Sequence, residues 1–418
     1  MNRGCTLIVL FAFTACLQAA DVDLAARATN EVGVDLYRQL ATGDENLCLS
    51  PYSIEAALAM TFAGAEGDTR SEMARVLHFP SDGEAIHSSF DSLQRSLKEM
   101  AKKTVKIADQ SKRSGGPSEP IRFSIANRLF PQTGYAFRDL FRQLVEKFYG
   151  APFEPLDYHK NPESAREHIN KWVAEQTNDR IRDLIPPDGV TAATRLVLAN
   201  AIYLKAPWLS EFNDAFTKPK PFHIRGGAPV DVATMNTRAQ LGYAKREGFT
   251  AVALRYTGAE LQFVVLVPDN VSGLRALESK LSADVLAQCA KLEPHDVDLA
   301  LPKFKLEPPT LALSDKLRSR GMKTAFDQPP GSANFDRMAP RKPDDYLAIS
   351  EVFHKTFIAV DEKGTEAAAA TAVAMKATSA RVEKQNPIDV KVDRPFLYAI
   401  QHVPSGACLF IGRVTDPR

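Results

Sequence analysis

Apolar residues recur at helical spacing early in the chain, with Val32, Leu36 and Leu40 four positions apart and Gly43 following as a stop. That spacing lines one face of a helix and predicts that the face is buried. A second helix is predicted after Ser50-Pro51, because a serine hydroxyl can cap free amides and proline suits the first turn. Later the period changes. Leu196–Leu204, Leu261–Val267 (closed by Pro268), Val297–Leu301 and Phe353–Val360 are short, apolar and rich in β-branched or aromatic residues, and each predicts a strand. Helices fill the first half and strands the second, so the pattern predicts an α+β fold rather than alternating βαβ units. No repeat and no Pro/Gly/Ser-rich linker divides the chain, which reads as one domain from Asp21 to Arg418.

The pattern lapses between Ala101 and Phe123. Lys102, Lys103, Lys106, Lys112 and Arg113 cluster there beside Ser114-Gly115-Gly116-Pro117, which reads as a loop insertion with a basic flank. A solvated surface is the expected role, and binding of a polyanionic cofactor is the weaker reading. Over the whole chain 52 basic residues balance 51 acidic ones, so no net field draws it to nucleic acid or an anionic membrane. A protein partner or a small molecule is expected instead.

Residues 1–20 read as a signal peptide: Arg3 is the positive region, Thr6 to Leu17 is almost wholly apolar, and Ala19 and Ala20 are small. The run is too short for a bilayer span, and the protein is expected outside the cytoplasm. A lipoprotein alternative stays open, because Phe13-Thr14-Ala15-Cys16 approximates the motif in which the cysteine is acylated. Beyond the leader, Cys48, Cys289 and Cys408 are odd in number and far apart, which argues for buried thiols rather than a disulfide framework or a metal site. Asn270-Val271-Ser272 is an N-glycosylation pattern.

Enzyme signatures are missing: there is no GxSxG, HExxH, phosphate loop or GxGxxG, and the eight histidines are scattered. The chain is therefore not read as an enzyme, and no cofactor is expected. Chemistry concentrates instead between Glu362 and Ser379. Its alanines, glutamates and lysines favour a helix locally, yet it follows a predicted strand, lacks an apolar stripe and places Gly364 where the chain needs freedom to turn. As a strand it sorts cleanly. Thr365, Ala367, Ala369, Thr371, Val373 and Met375 form one uncharged face, while Glu366, Ala368, Ala370, Ala372, Ala374 and Lys376 form the other. No proline interrupts Gly364 to Ser379, so every amide could join a ladder.

Asp361-Glu-Lys-Gly-Thr-Glu-Ala-Ala368 resembles the reactive-loop hinge of inhibitory serpins. The similarity extends along the chain in order: Asn46-Leu-Cys-Leu-Ser-Pro-Tyr-Ser-Ile54, Gly64-Ala-Glu-Gly-Asp-Thr69, Asn200-Ala-Ile-Tyr-Leu-Lys-Ala-Pro-Trp208, Val392-Asp-Arg-Pro-Phe-Leu-Tyr-Ala-Ile400 and Phe410-Ile-Gly-Arg-Val-Thr-Asp-Pro417. The resemblance implies a single serpin domain over 21–418, with helices packed around three β-sheets and an exposed reactive-centre loop at about 362–386. It implies a monomeric suicide substrate: a serine protease cuts the loop, forms an acyl-enzyme and is trapped when the loop inserts as a new strand. The hinge would be Glu362, Gly364, Thr365, Glu366, Ala367, Ala368, Ala369, Ala370 and Thr371, and the family's spacing puts the scissile bond at Thr378-Ser379. A small β-branched residue there suits an elastase-like or subtilisin-like protease, with Lys376 and Arg381 as the weaker trypsin-like option. Ser50, Ser53, Asn200 and His354 match the family's polar cluster beneath the opening sheet, and Trp208 its top. The alternative is a serpin-fold binding or chaperone-like protein that does not inhibit.

Overall fold

A computed structural model of the chain describes residues 24–80, 83–113, 119–225, 227–343, 345–366 and 386–418. The leader with Cys16, the hinge residues Ala367–Thr371 and the bond Thr378-Ser379 lie outside the described residues.

The expected first helix, α1, runs over 24–40 and buries Val32 and Leu36 against the core. After β1 (Leu47–Leu49), Ser50 caps α2 (Pro51–Ala63) by accepting the Ser53 amide, with Pro51 in the first turn as predicted. Helix α2 is buried on nearly every side, so it forms the spine of the molecule. Then come α3 (Gly67–Val76), α4 (Glu84–Arg113), β2 (Arg122–Pro131), α5 (Asp139–Tyr149), α6 (Pro162–Gln176) and β3 (Leu196–Pro207). The strand-rich half follows with β4 (Lys218–Phe222), β5 (Val230–Arg246), β6 (Phe249–Arg255) and β7 (Leu261–Pro268). Helices α7 (Leu274–Lys280) and α8 (Ala283–Cys289) precede β8 (Pro294–Pro302), β9 (Phe304–Leu306), β10 (Leu311–Ala312) and α9 (Ser314–Ser319). The chain closes with β11 (Phe353–His354), β12 (Ile358–Asp361), β13 (Gly364–Thr365), β14 (Ile388–Lys391), β15 (Phe396–His402) and β16 (Ala407–Val414).

Among the described residues the strands form three sheets. The largest runs β1-β16-β15-β7-β6-β5-β8-β14 with β4 also on β5, the second runs β2-β3-β13-β12-β9, and β10 pairs β11 alone. The α+β architecture of helices packed around three sheets is thus present, and one continuous core joins α1–α4 to both large sheets. Cys48, Cys289 and Cys408 are buried free thiols, and burial pushes their pKa values up, that of Cys289 to about 12, which keeps them unreactive. Among the described residues no helix is long and apolar enough to cross a membrane.

Two local expectations are corrected. The basic stretch after Ala101 is not all loop, because α4 continues unbroken to Arg113. Its inward stripe, Leu93, Leu97, Met100, Thr104 and Ala108, ends in a hydroxyl and a methyl that carry little hydrophobic signal. Lys102 and Lys103 on that helix pair with Glu99 and Glu260 at 2.7 and 2.9 Å. Phe353–Val360 is not one strand but two, since 355–357 leaves the ladder and buries Thr356, whose hydroxyl donates to the Cys48 carbonyl at 3.0 Å.

Candidate functional site: an open slot in the second sheet

The second sheet is joined at its centre by very little backbone. Among the described residues no ladder links β3 directly to β11 or β12, and only the two residues of β13 bridge them. Gly364 and Thr365 pair with Pro207 and Ala206 on one side and with Asp361 and Val360 on the other. Below that bridge the inner edges of β3 and of the 353–360 segment face each other across a slot. A cavity of about 300 Å³ lies in this region, lined by Ser53, Thr61, Leu196, Asn200, Leu347 and His354 among others.

The top of the slot is built around aromatic stacking. Trp208, the residue after β3, lies face to face on Tyr256 with centroids 4.6 Å apart. Its indole N–H donates to the Asp361 carbonyl at 2.9 Å, and its backbone N–H to the Lys363 carbonyl at 2.9 Å. The Tyr256 hydroxyl shares a 2.5 Å hydrogen bond with Thr365 Oγ1, so the Thr365 hydroxyl lies in the core. Gly364 is required here, because a Cβ would fall against the Ala206 carbonyl and 2.8 Å from Pro207 Cα. The Glu362 carboxylate accepts from Lys303 Nζ and from Thr217 Oγ1, each at 2.7 Å. Burial alone would raise its pKa, yet those two donors hold it below the ordinary carboxylate value. At Glu366 the backbone turns out of the strand with φ +48, and the side chain meets Arg180 and Tyr203.

A second cluster lies lower on β3. Ser50 Oγ donates to the Leu409 carbonyl at 2.6 Å, and the Ser50 N–H donates to His354 Nε2 at 3.0 Å. Ser53 Oγ donates to Asn200 Oδ1, Asn200 Nδ2 to Asn127 Oδ1, and Asn127 Nδ2 to the Tyr149 carbonyl at 3.1 Å. His354 is wholly buried, and desolvation lowers its pKa to about 3, so the imidazole is neutral and carries its proton on Nδ1. Such a ring accepts one backbone amide and serves as a structural acceptor. These bonds run from β2 through β3 to α2, and Ser53, Asn200 and His354 also line the cavity, which places exchangeable hydrogen bonds directly beneath the slot.

The predicted residues therefore separate into two groups. Glu362, Gly364, Thr365, Glu366 and Trp208 meet at the top, while Ser50, Ser53, Asn200 and His354 meet below. Sequence reasoning missed Tyr256, Lys303, Thr217, Arg180 and Asn127. Only Asn127 left a trace, as a lone amide in the apolar run of β2, directly opposite Asn200.

Comparison with known proteins follows the same outline. A family profile described as Serpin (serine protease inhibitor) matches residues 27–417. An uncharacterized serpin-like protein of Thermococcus kodakarensis is 36% identical over 394 residues, covering 94% of this chain and 85% of that protein. The leukocyte elastase inhibitor of Bos taurus is 34% identical over 401 residues, covering 93% of this chain and 98% of that protein. A solved structure of cleaved Serpin 42Da matches with a TM-score of 0.76 at 29% identity and covers 95% of this chain and 99% of that one.

Proposed function

The chain belongs to the serpin family, and on that premise we propose that it inhibits serine proteases as a suicide substrate rather than acting as a hydrolase. Its loop is cut at Thr378-Ser379, and the acyl-enzyme is trapped when the freed segment fills the slot between β3 and β11–β12.

The slot that separates β3 from β11 and β12 among the described residues, bridged at its top by Gly364 and Thr365, carries this reading. Antiparallel pairing of Thr365 with Ala206, continued residue by residue, sets Thr371 against Asn200 and Met375 against Leu196, the first residue of β3. On the other edge, pairing of Thr365 with Val360 sets Thr371 against His354. A hydroxyl thus reaches the level of the polar cluster from both sides. The 12 residues of β3 match the 12 from Gly364 to Met375, about 40 Å of strand at about 3.3 Å per residue. The uncharged set, led by buried Thr365, enters the core face, and the set containing Glu366 stays outside. A hinge free of bulky or charged residues from Ala367 to Ala372 favours inhibition over a binding-only role.

Thr378 is small and uncharged, which favours an elastase-like or subtilisin-like target, and a relative bears the name leukocyte elastase inhibitor. The apolar leader over Thr6 to Leu17 supports secretion, with acylation at Cys16 as the variant of that route. The test is a denaturing gel after mixing with elastase-like, subtilisin-like and trypsin-like proteases. A covalent band at the summed mass is expected with one of the first two, and mass determination of the carboxy-terminal fragment fixes the bond. Clipping by all three without a band would replace inhibition with a binding role.

A further inference from the structure

Resting on the inhibitory reading above, we infer that Arg180 is a positioning residue that anchors the hinge at the mouth of the slot and sets how often a cut loop inserts rather than being released. Arg180 belongs to neither edge of the slot. It sits in the connection from α6 to β3, which lies on the outer face of the sheet and is tied there by Lys355 Nζ donating to the Arg182 carbonyl at 2.7 Å. From that connection the Arg180 guanidinium covers the Phe357 ring at 5.1 Å, and its Nε donates to Glu366 Oε1 at 2.7 Å. Tyr203 on β3 donates its hydroxyl to the same carboxylate oxygen at 3.2 Å. One cation therefore touches the hinge and the 353–360 side, while a β3 side chain shares its anion.

The position of Glu366 gives the contact its leverage. The Glu366 N–H still donates to the Ala359 carbonyl at 2.7 Å, while its φ of +48 departs from the extended conformation of a strand. Glu366 thus marks the end of the seated rung, and whatever fixes its side chain fixes the point from which the ladder must grow. Glu366 also belongs to the outer-facing set, so lengthening the strand does not require its carboxylate to cross to the core. The contact to Arg180 can persist while later rungs form. Trapping is a race between insertion and hydrolysis of the acyl-enzyme, and an anchor present from the first rung speeds only the first of these. The Arg180 side chain is 47% exposed, so its removal does not open the core. Lys305, which also lies over Phe357 at 5.5 Å, is occupied with Glu307 at 3.8 Å and does not duplicate the anchor.

The experiment compares the full chain with Arg180→Ala, Glu366→Arg and the exchange Arg180→Glu with Glu366→Arg, against a protease that the wild type traps. Two quantities are read: inhibitor molecules consumed per protease inactivated, and the second-order association rate. Arg180→Ala should raise the number consumed in excess of one per protease about two- to fivefold, the range of a partly exposed ion pair, with association unchanged. The exchange should return it toward wild type, and Glu366→Arg alone should not, an outcome that loss of packing would not produce. Unchanged consumption in Arg180→Ala, a change confined to association, or an exchange no better than the single variants would overturn the inference and leave inhibition standing. A wild type that forms no covalent complex removes the inhibitory reading, and the inference with it.

Discussion

Replacing Thr371 with arginine tests the slot most directly. Continuing the pairing of β13 places this residue between Asn200 and His354, on the same face as Thr365, where His354 is buried. A guanidinium arriving there finds Asn200 engaged with Ser53 and Asn127, and His354 occupied by the Ser50 amide. Burying a charge without a partner costs several kcal/mol, here about 4. If half of that is felt at the transition state for insertion, insertion slows about 30-fold. Hydrolysis of the acyl-enzyme does not depend on residue 371, so the balance shifts toward release. Titrating a fixed amount of protease should then show the inhibitor consumed beyond one per protease inactivated rise about 30-fold, with that excess recovered as cut product. Ala380→Arg is the control, since it puts the same side chain beyond the scissile bond, where it never enters the sheet. Should the ratio of cut to complexed inhibitor for Thr371→Arg stay within twofold of the wild-type value, the register and the slot derived from it are wrong.

Three further outcomes follow from the two clusters. His354 has a folded pKa of about 3 against 6.5 for the free group, so the unfolded chain binds its proton first; the stability it confers is whole above pH 6.5 and falls as pH drops toward 3. Between pH 7 and 5 this amounts to about 2 kcal/mol, and denaturant unfolding of His354→Gln should show that much less acid sensitivity than wild type. Gly364→Val drives a Cβ into the Ala206 carbonyl and should expel β13, lowering stability by about 1–3 kcal/mol and changing the emission of Trp208 as Tyr256 loses its Thr365 partner; identical spectra would refute this. Trp208→Phe keeps an aromatic ring but deprives the Asp361 carbonyl of its donor, which should cost about 1–3 kcal/mol in urea unfolding, and a loss below 0.5 kcal/mol would mean water replaces the indole.

Much of this arrangement was legible before any coordinates. Ser50-Pro51 announced a capped helix because capping is a local matter settled by a few neighbouring atoms. The apolar run at Leu261 announced a strand because it is buried throughout, and that at Leu196 did so through its β-branched and aromatic residues although its first residues are only partly buried. Thr104 and Ala108 hid the last turns of α4, since a helix stripe made of small or hydroxylated residues has almost no periodic signal. Thr356 split a strand for a tertiary reason, its bond to Cys48, which lies more than three hundred residues away in sequence. Glu362, Gly364, Thr365 and Glu366 were singled out by their motif, whereas Tyr256, Lys303 and Arg180 were not. Each is an ordinary surface-type or aromatic residue whose importance comes only from what the fold places beside it.

One consequence reaches past the act of inhibition. Strands β15 and β16 sit between β7 and β1 in the largest sheet, and β14 closes its far edge on β8. All three lie after the stretch that a protease would sever. Phe396–His402 and Ala407–Val414 are buried throughout, and Arg413 is locked to Glu278 at 2.8 Å beside Tyr37. A nicked molecule is therefore a tight complex of its own two pieces. On the proposed reading it should travel through a sizing column as a single body and part only in detergent, so that cleavage sheds no loose hydrophobic peptide.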